Sequence, residues 1–349
     1  TLSRHCLEDP LFNRHTPSDF ELMGHPLTQS TLDTLVRTYP TIDDIVPLTA
    51  LQQGLAFESL SRDQAVIDPY HVQMVFTFEG EFDAPAMQRA VQQLILRHKI
   101  LRLVVVPPET LFATGIILDG TRQACPLITL EGSAQQRLAA LRAIDISHPF
   151  KLSEGPLFRA CVTKLDSNRT AMLISNHHLV LDGWSTPLLL KELARLYETE
   201  TQSLQVSLPR PFDWKDHLSW LQRQPEESAL AYWRQHLTTA RDAGPLLLPI
   251  PKAPTLGMGD LRLTLDAQDT RRFDQAARDS GLTPASALQG LFGFLMSKLS
   301  RTNELIIGSV RNGRGSQLPN IDQAIGLFID TLPLALKLTP QQTLVEWLR

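Results

Sequence analysis

The stretch HHLVLDGWS, His177 to Ser185, brings together groups that can handle protons: two adjacent imidazoles, then Asp182, Gly183, Trp184 and Ser185 behind an apolar gap. Imidazole is the side chain whose ordinary pKa lies nearest neutrality, so a histidine leaving a strand into a cleft suits proton traffic. Asp182 is spaced to orient a ring or anchor the loop, and Gly183 lets the backbone turn where a Cβ would obstruct a substrate. A lone strand histidine is more often a satisfied core residue than a catalyst. Four fixed positions shift that balance, because HHxxxDG arises by chance in only about one chain in a thousand of this length and composition.

Alternation along a strand sends neighbouring side chains to opposite faces, so His177 and His178 do not share one metal ion, and no metal is expected. The same geometry divides labour, with one histidine facing the cleft and the other turned into the fold. No GxSxG elbow, cysteine neighbour, P-loop or GxGxxG fingerprint offers a nucleophile or a nucleotide site.

The motif sits at the exit of a strand read from TAMLISNHH (170–178), paired with LFRACVTKL (157–165) through a turn at 166–168. STPLLLKELARLYETE (185–200) reads as a helix with Ser185 at its head as N-cap. Upstream, PLTALQQGLAFESL (47–60) has helical spacing after a capping Thr49, VQMVFTFEG (72–80) alternates as a half-buried strand, and DAPAMQRAVQQLILRHKILR (83–102) reads as an amphipathic helix. Residues 103–130 read as proline-interrupted strands. Beyond SLQVSLPRPFDW (203–214), the best boundary, come helices, a strand at 261–265, helices at 267–280 and 284–300, a strand at 304–310, the turn RNGRG and an apolar run at 325–336. The fold class is α/β in two lobes: a leading linker over 1–45, an N-terminal lobe over 46–210 and a C-terminal lobe over 211–349.

With 43% hydrophobic and 20% charged residues among 349, the chain has apolar material for about two compact units. A formal charge of −4 and the lack of Lys/Arg blocks argue against nucleic acid or an acidic membrane as partner. Cys6, Cys125 and Cys161 form neither a disulfide framework nor a CxxC knuckle, which fits a reducing cytoplasm. No apolar run reaches the roughly 18 residues of a membrane helix. Thr1 in place of Met suggests a piece of something longer.

Taken together, these motifs resemble the condensation domains of nonribosomal peptide synthetases, the HHxxxDG family with a chloramphenicol acetyltransferase-like fold. PLTALQQGLAFESL is similar to the family's opening helix, DPYHVQMVFTFEG to its first strand, RHKILR (97–102) to its RHxxLR element and HPFKLSEGPLFRA (148–160) to the segment before the motif. PFDWKDHLSWL (211–221) and GSVRNGRGSQLPNIDQAIGLFIDTLPL (308–334) follow in the family's order.

The resemblance implies two sandwich lobes in a V, with a tunnel between them. Upstream donor and downstream acceptor carrier domains would bring thioesters there on 4'-phosphopantetheine arms, with no cofactor bound directly. An adjacent adenylation domain is expected, and an upstream epimerization domain if the donor is D-configured, as PLTALQQGLAFESL combined with HHLVLDGWS suggests. By the same resemblance, His178 acts on the acceptor amine, as a base or by positioning it. His177 and Asp182 are mainly structural, Asp182 pairs with Arg97, Gly183 keeps space, Trp184 and Ser185 continue the pattern, and Arg314 has an accessory role. The family continues roughly 80 to 100 residues past the equivalent of Arg349, so the second lobe reads as partial. Two other functions compete: a coenzyme A-dependent acyltransferase of the same fold, and a recruitment domain without turnover.

Overall fold

The structure, a computed structural model, describes residues 15–23, 27–61, 67–120, 125–202, 207–240, 262–315, 317–339 and 341–349. It is mixed α/β, and its chain contacts separate two units: Thr1–Gln224 with Asn312–Ile329, and Pro225–Arg311 with Asp330–Arg349.

The described part of the segment read as a leading linker, residues 15–23 and 27–45, is built into the first unit. Helix α1 (Gln29–Thr38) starts where the Thr28 hydroxyl accepts the Thr31 N–H, and it buries Leu32 and Leu35. Strand β1 (Ile42–Pro47) pairs antiparallel with β4 (Thr114–Leu118), which also pairs with β3 (Leu103–Val105). Leu32, Leu35 and Ile45 close a small core with Val104 and Ile116. The prolines that suggested a linker punctuate these elements: Pro17 opens a 3-10 turn and Pro40 follows α1.

Helix α2 (Ala50–Ser61) begins at a reciprocal capping box, Gln52 N–H to the Thr49 hydroxyl and Thr49 N–H to the Gln52 side chain. A second antiparallel sheet has the order β2 (His71–Glu79), β6 (Arg169–His177), β5 (Phe158–Lys164). Central β6 is buried from Thr170 to His177. One sheet face sends Phe158, Ala160, Val162, Met172 and Ile174 into the main core with α3 (Ala84–Arg97) and α5 (Ser185–Gln202). The amphipathic helix expected over 83–102 stops at Arg97, where His98 turns extended and a 3-10 turn covers 99–102.

The other face of that sheet carries a polar row. Gln73 and Arg159 both pair with Ser175, so all three point to the same side. There Asp145, in α4 (Ala134–Ile146), accepts from Gln73 (2.6 Å), Ser175 (2.7 Å), Arg159 (2.6 Å) and the His71 ring (2.9 Å). Burial raises the pKa of the carboxyl, but these hydrogen bonds outweigh it and hold Asp145 well below the usual carboxylate range.

The boundary expected at 210/211 lies further on. Helix α6 (Trp214–Gln222) buries Trp214 and Leu218 in the first unit's core, and residues 312–329 return to that core through Ile325, Leu327 and Phe328. The second unit holds α7 (Glu226–His236), α8 (Ala267–Asp279), α9 (Pro284–Ser300), the antiparallel pair β7 (Glu304–Arg311) and β8 (Asp330–Lys337), and α10 (Leu344–Leu348). The strand expected at 261–265 does not form among its described residues, 262–265. Leu263 is 87% exposed, and among the described residues no strand pairs with it. No described helix is long and apolar enough to cross a membrane.

Candidate active site

Strand β6 ends on His177, whose ring is fully buried. Its Nε2 lies 3.1 Å from the Ser59 hydroxyl and 3.3 Å from the Asp68 carboxylate, while Nδ1 accepts the Leu179 N–H at 3.1 Å. A backbone N–H can only donate, so Nδ1 carries the lone pair and Nε2 the proton. Tyr70 and Phe150 meet the ring edge-on, with centroids at 6.0 and 6.4 Å. Asp68 is partly desolvated, which raises its pKa, yet hydrogen bonds from His177, the Tyr70 N–H and Ser59 lower it to about 2.

His178 is the first residue past the strand and is half-buried, in contrast to its neighbour. Its N–H donates to the Tyr70 carbonyl at 2.8 Å, and its Nδ1 is buried without a hydrogen-bond partner among the described residues. The following turn is held from α2, where Gln52 Nε2 donates to the Leu179 carbonyl at 2.9 Å.

Asp182 is an anchor. Its side chain is 0% exposed and accepts the Ser185 N–H (2.7 Å), the Phe328 N–H (2.8 Å) and Arg314 Nη2 (3.1 Å). The ion pair expected with Arg97 is therefore not made. Arg97 sits at the end of α3 facing α5, where its Nε donates to Glu192 at 2.9 Å and its Nη2 to the Pro209 carbonyl. Glu192 also takes the His98 ring at 2.8 Å; burial raises its pKa, but these two partners bring it below the usual range. The reach and burial of Arg314 make it the partner of Asp182, a larger part than the accessory one expected.

Ser185 is the first residue of α5 rather than its N-cap. The capping acceptor is the Asp182 carboxylate, and the Ser185 hydroxyl instead donates to the Gly326 carbonyl and accepts from the Gly326 N–H and Arg314. Gly183 has no positive φ, and a Cβ built there meets no atom within 4 Å. Trp184 is 51% exposed. Cavities of 330 Å³ beside Trp347 and 890 Å³ beside Phe82 and Lys164 lie in separate parts of the chain, and no residue of 177–185 lines either.

Arg314 lies over the Phe328 ring at 4.4 Å, and Trp214 and His217 flank the same ring. Burial, helped by the Arg314 charge, lowers His217 to a pKa of about 4. Asp68, Gln52 and His217 were not singled out from sequence, and Ser59 was read only as a position at helical spacing with Leu48, Leu51 and Leu55. For Gln52 and Ser59 a signal was present: both are polar residues at helical spacing from Leu55 in α2. Among the described residues no group of His, Cys, Asp and Glu could hold a metal, and Cys125 and Cys161 are free, with Cys6 outside the described residues.

Residues 42–349 match the Condensation domain family. The chain belongs to that family. Relatives of this condensation domain include a subunit of the linear gramicidin synthase of Brevibacillus parabrevis, 31% identical over 88% of the chain, and bacitracin synthase 3 of Bacillus licheniformis, 27% identical over 99%. The chain spans only 4% and 6% of those two proteins. Among solved structures, the condensation domain of the Monacolin K polyketide synthase MokA superposes with a TM-score of 0.71 at 18% identity, covering 88% of this chain and 71% of that one. The first condensation domain of the CDA synthetase gives 0.66 at 17% identity, covering 86% and 73%.

Proposed function

We propose that this condensation domain joins a donor aminoacyl or peptidyl thioester to the amine of an acceptor aminoacyl thioester, both borne on phosphopantetheine arms of carrier domains. The acceptor nitrogen attacks the thioester carbonyl, the C–N bond forms, and the C–S bond breaks. The surplus amine proton ends on the departing thiolate, and the lengthened chain stays on the acceptor carrier. The observation that carries this reading is the contrast between His177, buried and bonded on both ring nitrogens, and His178, half-buried with its Nδ1 buried and unpaired among the described residues.

His178 has limited work to do. The thioester is already activated, and an α-amine with a pKa of about 8 is partly free near neutrality. Alignment of two tethered reactants supplies up to roughly 7–11 kcal/mol, against about 10²–10⁴-fold from a general base. His178 therefore holds the amine and the tetrahedral intermediate by hydrogen bonds, and takes up a proton as the C–N bond forms. Gly183 supports the reading, because neither backbone conformation nor packing within the chain requires a glycine there. His177 and Asp182 support the site from within, an adenylation domain supplies acceptor thioesters, and the donor is D-configured, delivered from an upstream epimerization domain. The domain works in the cytoplasm.

The test loads donor and acceptor carrier domains with defined aminoacyl groups and follows the acceptor by intact-protein mass. Wild type is expected to shift the acceptor by the donor mass, and His178→Ala to slow that shift about 10²-fold or more. Equal product from both removes His178 from the chemistry. Product from free acyl-coenzyme A alone would assign the domain to the other acyltransferase class.

A further inference from the structure

Among the described residues no hydrogen bond to Nδ1 holds the His178 ring, whereas the backbone that carries the ring is held. Two of the hydrogen bonds that hold that backbone, from the His178 and Leu179 N–H groups, lead to one residue outside the motif. Asp68 lies just ahead of β2. One of its oxygens, Oδ1, accepts the Tyr70 N–H at 2.9 Å, and its own carbonyl accepts the His71 N–H at 3.0 Å, which fixes the tight turn entering the strand. The carbonyl of Tyr70, set by that turn, receives the His178 N–H at 2.8 Å. The other oxygen, Oδ2, takes the His177 Nε2 proton at 3.3 Å, with the Ser59 hydroxyl bonded to both. With its proton held at Nε2, His177 keeps a lone pair on Nδ1 for the Leu179 N–H at 3.1 Å.

We propose that Asp68 is a positioning residue for His178: it holds the carbonyl that receives the His178 amide and fixes the His177 tautomer that receives the next amide along. The inference rests on the condensation reading only for its effect on rate. Its chemical content, a carboxylate that selects a ring tautomer, stands independently. Asp68 stays ionised across the neutral range, so it acts there as acceptor only, which is what this selection requires. A second, weaker support for the same turn comes from Gln52, which holds the Leu179 carbonyl and leaves the two amides to Asp68.

Asp68→Asn separates the two grips. An asparagine can keep its oxygen on the Tyr70 N–H, but it then turns an NH2 toward His177 Nε2, where a second donor faces a ring that must also accept from Leu179. In the full-length protein with histidine labelled with ¹⁵N, the wild-type His177 signal is expected to report an unprotonated Nδ1 and a protonated Nε2, and Asp68→Asn to lose that signature. With loaded carriers, the single-turnover rate of Asp68→Asn is expected to fall about 10–10²-fold while half-saturating carrier concentrations stay within about threefold. Asp68→Glu, which restores an acceptor-only group, is expected to recover part of both the rate and the signature. Asp68→Asn with an unchanged tautomer overturns the assignment, and so does a lost tautomer with wild-type rate. Absence of amide product from wild type overturns the condensation reading alone, since the ¹⁵N result then still decides the role of Asp68 toward His177.

Discussion

Arg314 Nη2 lies 3.1 Å from the Asp182 carboxylate, joining residues 132 positions apart with side chains 6% and 0% exposed. Burial lowers the pKa of Arg314, opposed by Asp182, and the same guanidinium covers Phe328. Breaking such a buried pair from one side leaves an uncompensated charge, which costs about 3–5 kcal/mol. Arg314→Ala and Asp182→Ala are each expected to lose that much in urea unfolding, and the double variant less than their sum. Strictly additive losses would mean the two residues act separately.

Gly183→Ala is expected to leave the thermal midpoint unchanged, because the new methyl meets nothing within the chain. Under the proposed reaction, amide formation is expected to fall at least about tenfold, because the open space at Gly183 would be the space a pantetheine-borne reactant needs. A full-rate variant would show that the glycine guards no substrate path.

Gly313 is a glycine for the opposite reason. Its φ is +60°, and a Cβ there would stand 1.6 Å from the Phe328 carbonyl oxygen. Gly313→Ala is expected to lose at least about 2 kcal/mol, combining left-handed strain with a backbone collision. The damage reaches the site because the Phe328 N–H serves Asp182. Chemical unfolding measures the loss, and an unaltered midpoint would contradict the geometry of this turn.

His217 gives the fold an acid-sensitive point. Its folded pKa of about 4 lies below the ordinary 6.5, so between those values the unfolded chain binds a proton that the folded one does not. Stability is therefore complete above pH 6.5 and falls as pH drops toward 4, by roughly 3 kcal/mol in total. The depressed Asp68 loses its contribution in a lower window, from about pH 4 down through 2. His217→Phe is expected to flatten stability between pH 6.5 and 4.5 when unfolding is followed across that range. An unchanged slope would place the acid sensitivity elsewhere.

Local pattern made much of this legible. The strand ending on His177, the paired strand before it, the helix after Ser185 and the helices at 267 and 284 follow from periodicity and caps, which act over a few residues. The different burial of His177 and His178 comes at the strand's end, the first being its last residue and the second lying just past it. The partner of Asp182 is not legible locally, because two arginines of equal charge, Arg97 and Arg314, compete for it in the sequence and only long-range packing chooses. Asp68 escaped notice for a related reason: it is an ordinary surface residue type until the turn before β2 is brought beside β6. LRLTL was read as a strand, although among the described residues no neighbour supplies residues 262–265 with the hydrogen bonds a strand needs.

Residues 312–329 leave the second unit, close on the first through Arg314, Gly326 and Phe328, and go back as β8 to pair with β7. On the ribosome, Asp182 emerges long before the groups that neutralise it, so the motif loop completes its bonding only after residue 328 has been translated. A chimera spliced at Gln224 would inherit its aspartate from one parent and its arginine from the other. Exchanging halves between synthetases at that joint thus imposes a matching requirement on a return loop that lies about 90 residues beyond the splice.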